Sequence, residues 1–137
     1  MKGYKTLSFI LMLLFAITGI LFLVLPDKVI AFFNTLSVFP GLLQSAVIDW
    51  NFYLILAAGY MYLVTVLAFL MFRHPQNRQL PLLLTHAKLA SSILSLAFYL
   101  LHAHYLIYLA NFIIDGVIGI VVLALYLKMR KTEWAYS

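Results

Sequence analysis

The sequence predicts an all-α membrane protein: a four-transmembrane-helix bundle with both termini cytoplasmic (N-in/C-in). Three observations predict it. Hydrophobic residues make up 66% of the 137 residues and charged residues 9%. Soluble domains have roughly 45–50% and 25%, so an ordinary aqueous surface cannot be built from this composition. The apolar residues gather in four runs, about 7–25, 51–72, 82–101 and 105–127. Each is close to the ~20 residues that a helix needs to cross a bilayer. The basic residues stand at the ends of these runs: Lys2, Lys5, Arg73, Arg78, Lys128, Arg130 and Lys131 on one side, Lys28 on the other. By the positive-inside rule this bias places the termini and the 73–78 loop in the cytoplasm. The expectation is a single four-span domain over 1–137 in a bacterial cytoplasmic (inner) membrane.

The first run is too long for the hydrophobic region of a secretory signal and ends in Leu25-Pro26-Asp27-Lys28 without a small-x-small site. It is expected to be retained as a helix. Residues 26–50 are too broken to span, because Pro26 stops the first helix and Pro40-Gly41 divides the rest. Asp27 is expected to N-cap a short helix over 28–36, followed by a second short turn in GLLQSAVI. Phe32, Phe33, Phe39 and Trp50 suit the headgroup level. The segment reads as a connector lying in the interface, in preference to a lid over the bundle's outer mouth.

The second run starts beside Asp49 and Trp50 and contains Ala57-Ala58-Gly59, a small patch expected to admit a neighbouring helix. Core packing is the expected role of Tyr53, Tyr60 and Tyr62. A short polar loop, RHPQNRQLP, makes spans two and three antiparallel neighbours, and His102-Ala103-His104 does the same for spans three and four. The tail KMRKTEWAYS is basic and amphipathic.

The third and fourth spans each carry one internal charge, Lys88 and Asp115. An ionisable group at membrane depth is costly, by ~2.5–3.5 kcal/mol or more, and by default marks a functional site or half of a buried pair. At 100° per residue, Thr85, Ser91, Ser92, Ser95, Tyr99 and His102 share the face of Lys88, and Tyr108, Asn111, Gly119 and Tyr126 that of Asp115. The two stripes should face each other as a buried polar seam of Lys88, Ser92, Ser95, His102, Asn111 and Asp115. From the 1.5 Å rise, the two charged residues are offset by ~8 Å along the bundle. Their side chains also lean toward opposite ends, so a direct bridge is not guaranteed, and Lys88 has the alternative of snorkelling.

Three uses compete for the seam: a structural pair fixing the helix hairpin, which is preferred; a proton relay through His102, Asn111, Asp115 and Lys88; and a polar pocket for a lipid headgroup, quinone or small solute. Gly116 and Gly119 are expected to permit close helix packing. His86 points away from the stripe, His74 lies in a loop, and His102 and His104 flank the outer turn, so no haem or metal site is expected. Absence of cysteine excludes thiolate clusters and covalent haem. Arg73 and Arg78 are candidates for headgroup or partner contact. No nucleic-acid motif, catalytic triad or phosphate loop is present; no cofactor, no nucleic-acid partner and no enzymatic activity are expected.

Leu25-Pro26-Asp27, Gly59-Tyr60, Arg73-x-Pro75-x-x-Arg78, Lys88 in the third span and Asp115 in the fourth resemble a loose group of small bacterial four-helix membrane proteins. The resemblance touches most of the chain through short motifs. It implies the topology and the interest of Lys88 and Asp115, and carries no assigned activity. DoxX-like and small multidrug-resistance proteins are similar in size, but the first span has no glutamate of the kind the latter embed.

The expected role is a non-catalytic accessory subunit or assembly partner of a larger membrane complex, binding lipid and other membrane chains as a hetero- or homo-oligomer. The alternative is a small transporter or ion-conducting oligomer that uses the seam.

Overall fold

In the computed structural model the described residues are 2–44 and 51–134, arranged as five helices without a strand. They are α1 (Lys2–Val24), α2 (Pro26–Ser37), α3 (Asn51–Arg73), α4 (Gln79–Leu101) and α5 (Leu106–Trp134). Asp49, Trp50 and part of the expected second turn lie outside the described residues, as do the side chains of Lys2, Tyr53, Arg130 and Lys131. Four of the helices are long and apolar enough to cross a membrane: α1 over Gly3–Val24, α3 over Ile55–Arg73, α4 over Gln79–Leu101 and α5 over Leu106–Met129.

Helix ends follow local chemistry. Leu25 leaves the helical region at φ −132° and ψ 47°, and Pro26 opens α2 at its first turn, where a missing N–H costs nothing. Asp27 therefore sits inside the first turn instead of capping it, and no side chain caps α2. α2 ends at Ser37 and a turn over 38–41 follows, in which Gly41, at φ 68°, takes the left-handed conformation that a β-carbon would strain, while the Leu42 amide donates back to the Ser37 carbonyl. Pro81 lies within the first turn of α4, so that helix begins earlier than the apolar run suggested. At the other end of the chain α5 runs on through Lys128 to Trp134, beyond the apolar run.

The helices associate as two tight pairs, α1 with α3 and α4 with α5, joined by a narrower contact between α3 and α4. Spans two and three are thus neighbours, as the short loop requires, but the main partner of span two is span one. α2 bridges the pairs by touching both α1 and α5, whereas α1 and α5 hardly meet. An isolated bridge between Leu43 and Tyr105 fastens the chain after α2 to the start of α5.

Toward the end that carries the 73–78 loop, the bundle closes on a core of Tyr4, Leu11, Val64, Met71, Leu84 and Val122. The outward surface is apolar almost throughout, as Ile17, Ile20, Leu63, Leu94 and Val117 illustrate, which is the pattern a lipid solvent permits.

Close approaches occur at specific glycines. A β-carbon on Gly119 would lie 2.9 Å from Leu89 Cδ2, one on Gly116 2.9 Å from Ser92 Oγ, and one on Gly19 3.0 Å from Met61 Cβ. The first two match the packing expected of them. Gly59 differs: it is exposed and nothing lies within 4 Å of its β-carbon position, whereas Ala57 and Ala58 are half-buried. Tyr62 also departs from core packing and is 73% exposed. Phe39, 87% exposed, projects outward from the connector.

Candidate functional site

Lys88 and Asp115 meet directly. The Lys88 ammonium donates to Asp115 Oδ1 at 2.8 Å, with the residues 2% and 4% exposed. Burial settles the alternative, since Lys88 does not snorkel. The offset expected from helix rise is closed by the reach of the lysine chain and by the close packing of α4 on α5 at Gly116 and Gly119. The ammonium also lies 4.5 Å from the ring centroid of Phe15 on α1 and 5.1 Å from that of Tyr60 on α3. One cation is thus enclosed by all four long helices, and the aromatic faces supply favourable electrostatics that lipid could not.

Around this pair, three further bonds join α4 to α5. Ser92 Oγ donates to the Phe112 carbonyl at 2.8 Å, and Asn111 Nδ2 donates to Ser91 Oγ at 3.1 Å and to Ser95 Oγ at 2.6 Å. Tyr60 ties α3 to α4 by donating to the Ala87 carbonyl at 3.2 Å. Lys88, Ser92, Ser95, Asn111 and Asp115 therefore form one seam, joined by Ser91.

His102 does not belong to the seam. It caps the C-terminus of α4 with an exposed ring, 4.8 Å from that of Phe98, because the helix ends before the stripe can carry it inward. The stripe's Tyr99 packs on His104 at 4.9 Å, and the Thr85 hydroxyl is buried with no hydrogen-bond partner among the described residues. His86 is exposed and bonds Leu82 of its own helix. Among the described residues no three histidine, cysteine, aspartate or glutamate side chains converge on a metal position. Arg73 and Arg78 are exposed at the loop end, Arg73 with its guanidinium 6.0 Å from the Phe69 ring centroid and Arg78 beside a small notch with Tyr126 and Met129.

Lys88, Asn111 and Asp115 of the seam, with Ser91, form the floor of a groove of about 650 Å³. Its walls are the adjoining halves of α1 and α5, with Ala57, Tyr60 and Met61 of α3 behind. Lys28, Val29, Phe32 and Phe33 of α2 line its far end. That volume falls within the ~300–1,000 Å³ of sites for drug-sized molecules. A second hollow, of about 440 Å³, lies between α3 and α4 on the other side of Tyr60 and Ser91. Sequence periodicity could not find Phe15, Tyr60 or α2 as parts of the site, because it relates residues of one helix and is silent about which helix faces which.

Comparison with protein-family models, curated proteins and solved structures finds no match to this chain. The reading of the site rests on its own geometry.

Proposed function

We propose that this chain is a non-catalytic integral protein of a bacterial cytoplasmic membrane, with both termini cytoplasmic. In this reading it serves as a binding and stabilising subunit of a larger membrane complex, and its groove holds a membrane-soluble molecule. One observation carries the reading: a largely apolar groove, open between α1 and α5, ends on a buried ion pair. A cavity lined by hydrophobic side chains with a few convergent polar groups is the ordinary form of a small-molecule site.

The polar seam also supports the alternative of a small transporter. Against it stands the closed core at the 73–78 end, where Leu84, Val64, Met71 and Val122 follow directly below the pair. The relay drawn through His102 likewise loses its outer member.

The test is extraction of lipid-soluble material from the chain purified in mild detergent, analysed by mass spectrometry beside Ala110→Phe, which fills the groove wall. The native chain should retain a defined compound in near-stoichiometric amount and the variant should not. Equal, non-specific lipid in both would refute the binding reading. Proton or ion flux in liposomes, abolished by Asp115→Asn, would establish the alternative.

A further inference from the structure

The groove's floor specifies the polar end of its occupant. We infer that the groove takes an uncharged amphiphile with a hydroxyl head, inserted tail outward so that the hydroxyl reaches Asp115 and Lys88. The inference rests on the binding reading above and adds the ligand's chemistry to it.

Charge narrows the class first. Lys88 and Asp115 already cancel, at 2.8 Å and almost fully buried. A carboxylate or phosphate head would pair with Lys88 but repel Asp115, and an amine would do the reverse. Either brings a third, uncompensated charge into a desolvated site, which is strongly unfavourable. A neutral head leaves the balance untouched.

Hydrogen-bonding capacity narrows it further. An ionised carboxylate accepts through two oxygens. Asp115 uses Oδ1 for Lys88, while Oδ2 has no partner among the described residues, although the residue is only 4% exposed and lines the groove. One helical turn nearer the mouth, Asn111 commits both amide protons to Ser91 and Ser95, which leaves its carbonyl oxygen without a partner among the described residues. The Lys88 ammonium retains protons beyond the one given to Asp115. The floor therefore offers acceptors chiefly, with a donor beside them. A hydroxyl donates to Oδ2 and accepts from the ammonium in a single group. An ether or ester can only accept, and would offer that carboxylate oxygen no donor.

The walls fix the remainder of the molecule. Leu14, Leu21, Phe22, Ile107 and Ile114 form an apolar slot, suited to an isoprenoid or alkyl tail. Because α1 and α5 hardly meet along it, the slot opens sideways, toward the lipid in which such an alcohol dissolves. A phospholipid seated the other way, with its headgroup at Lys28, would cover the open acceptors with hydrocarbon.

The experiment holds the tail constant and changes the head. Geranylgeraniol, its methyl ether, geranylgeranoic acid and geranylgeranylamine are titrated against the full chain in mild detergent, with melting temperature as the readout. The alcohol should stabilise saturably, and the other three should bind at least tenfold more weakly. The double variant Lys88→Met with Asp115→Leu should bind alcohol and ether alike. Ala110→Phe and Ala57→Phe, each first shown to be helical and monodisperse, should bind none of the four.

An ether, acid or amine that equals the alcohol in the native chain overturns the hydroxyl assignment and leaves the groove as a binding site. Responses unchanged by both groove-filling variants overturn the groove itself. No response to any of the four overturns the alcohol inference, while the extraction experiment decides separately whether the groove binds another molecule.

Discussion

The two helix pairs of this bundle are held together by different physics. α1 and α3 join through apolar side chains and a close approach of Gly19 to Met61. α4 and α5 join through a buried ion pair, three side-chain hydrogen bonds and two glycine contacts. In a bilayer the lipid tails are as apolar as leucine, so hydrophobic association gives α1 and α3 little preference for each other beyond the fit of their surfaces. The polar seam gives α4 and α5 a partner that lipid cannot replace. The difference teaches where specificity resides: the seam fixes the register of one pair, and the other pair is free to shape the wall of a groove.

The largest effects should come from breaking the seam's charge balance. Lys88→Met alone and Asp115→Leu alone each strand the other charge, and by analogy with buried pairs in soluble proteins each should cost ~3–5 kcal/mol. The double variant should recover most of that loss in thermal or denaturant unfolding in detergent. Losses that simply add would mean that the two residues do not stabilise each other. An intermediate effect is expected from Gly119→Ala, whose methyl group would press on Leu89 in the α4–α5 contact. Overpacking of this kind typically costs ~1–3 kcal/mol. Its control is Gly59→Ala, with open space around the new carbon, which should stabilise α3 by up to ~1 kcal/mol through helix propensity alone. If both alanines act alike, the glycines on α5 do not set the spacing of the pair. The smallest effects belong to single neutral hydrogen bonds. Ser92→Ala and Tyr60→Phe each remove one such bond, and each should lower stability by ~0.6 kcal/mol, the average for such bonds between membrane helices. Ser92→Ala should loosen α4 from α5, and Tyr60→Phe should loosen α3 from α4, as hydrogen exchange at each contact can report.

Much of the fold was legible because it depends on composition along one dimension. Four apolar runs and their breakers give the four long helices, and Pro26 marks the turn into α2. The seam was legible because Lys88, Ser92, Ser95, Asn111 and Asp115 recur at helical spacing, and a polar stripe among apolar neighbours has few places to go. What was not legible is the arrangement of helices around that stripe. Nothing in the spacing of Phe15 or Tyr60 says that both rings turn toward Lys88. His102 satisfied the same angular rule as Ser95 yet lies past the point where α4 ends, so angle without depth misplaced it. Gly59 had the composition of a docking position yet meets open space, while the glycines in close contact, Gly19, Gly116 and Gly119, are those that face a partner helix. That α2 lines the groove depends on its contact with α5, between distant parts of the chain.

That connector has a mechanical consequence. A twelve-residue helix is ~18 Å long at 1.5 Å per residue, and α2 runs from the end of α1 toward the start of α5, where Leu43 meets Tyr105. It ties the end of α1 to the start of α5, two helices that hardly touch each other directly, and so acts as a strut between the two helix pairs. If the groove takes a guest as proposed, a short rigid rod at its far end limits how much the pairs can rearrange on entry.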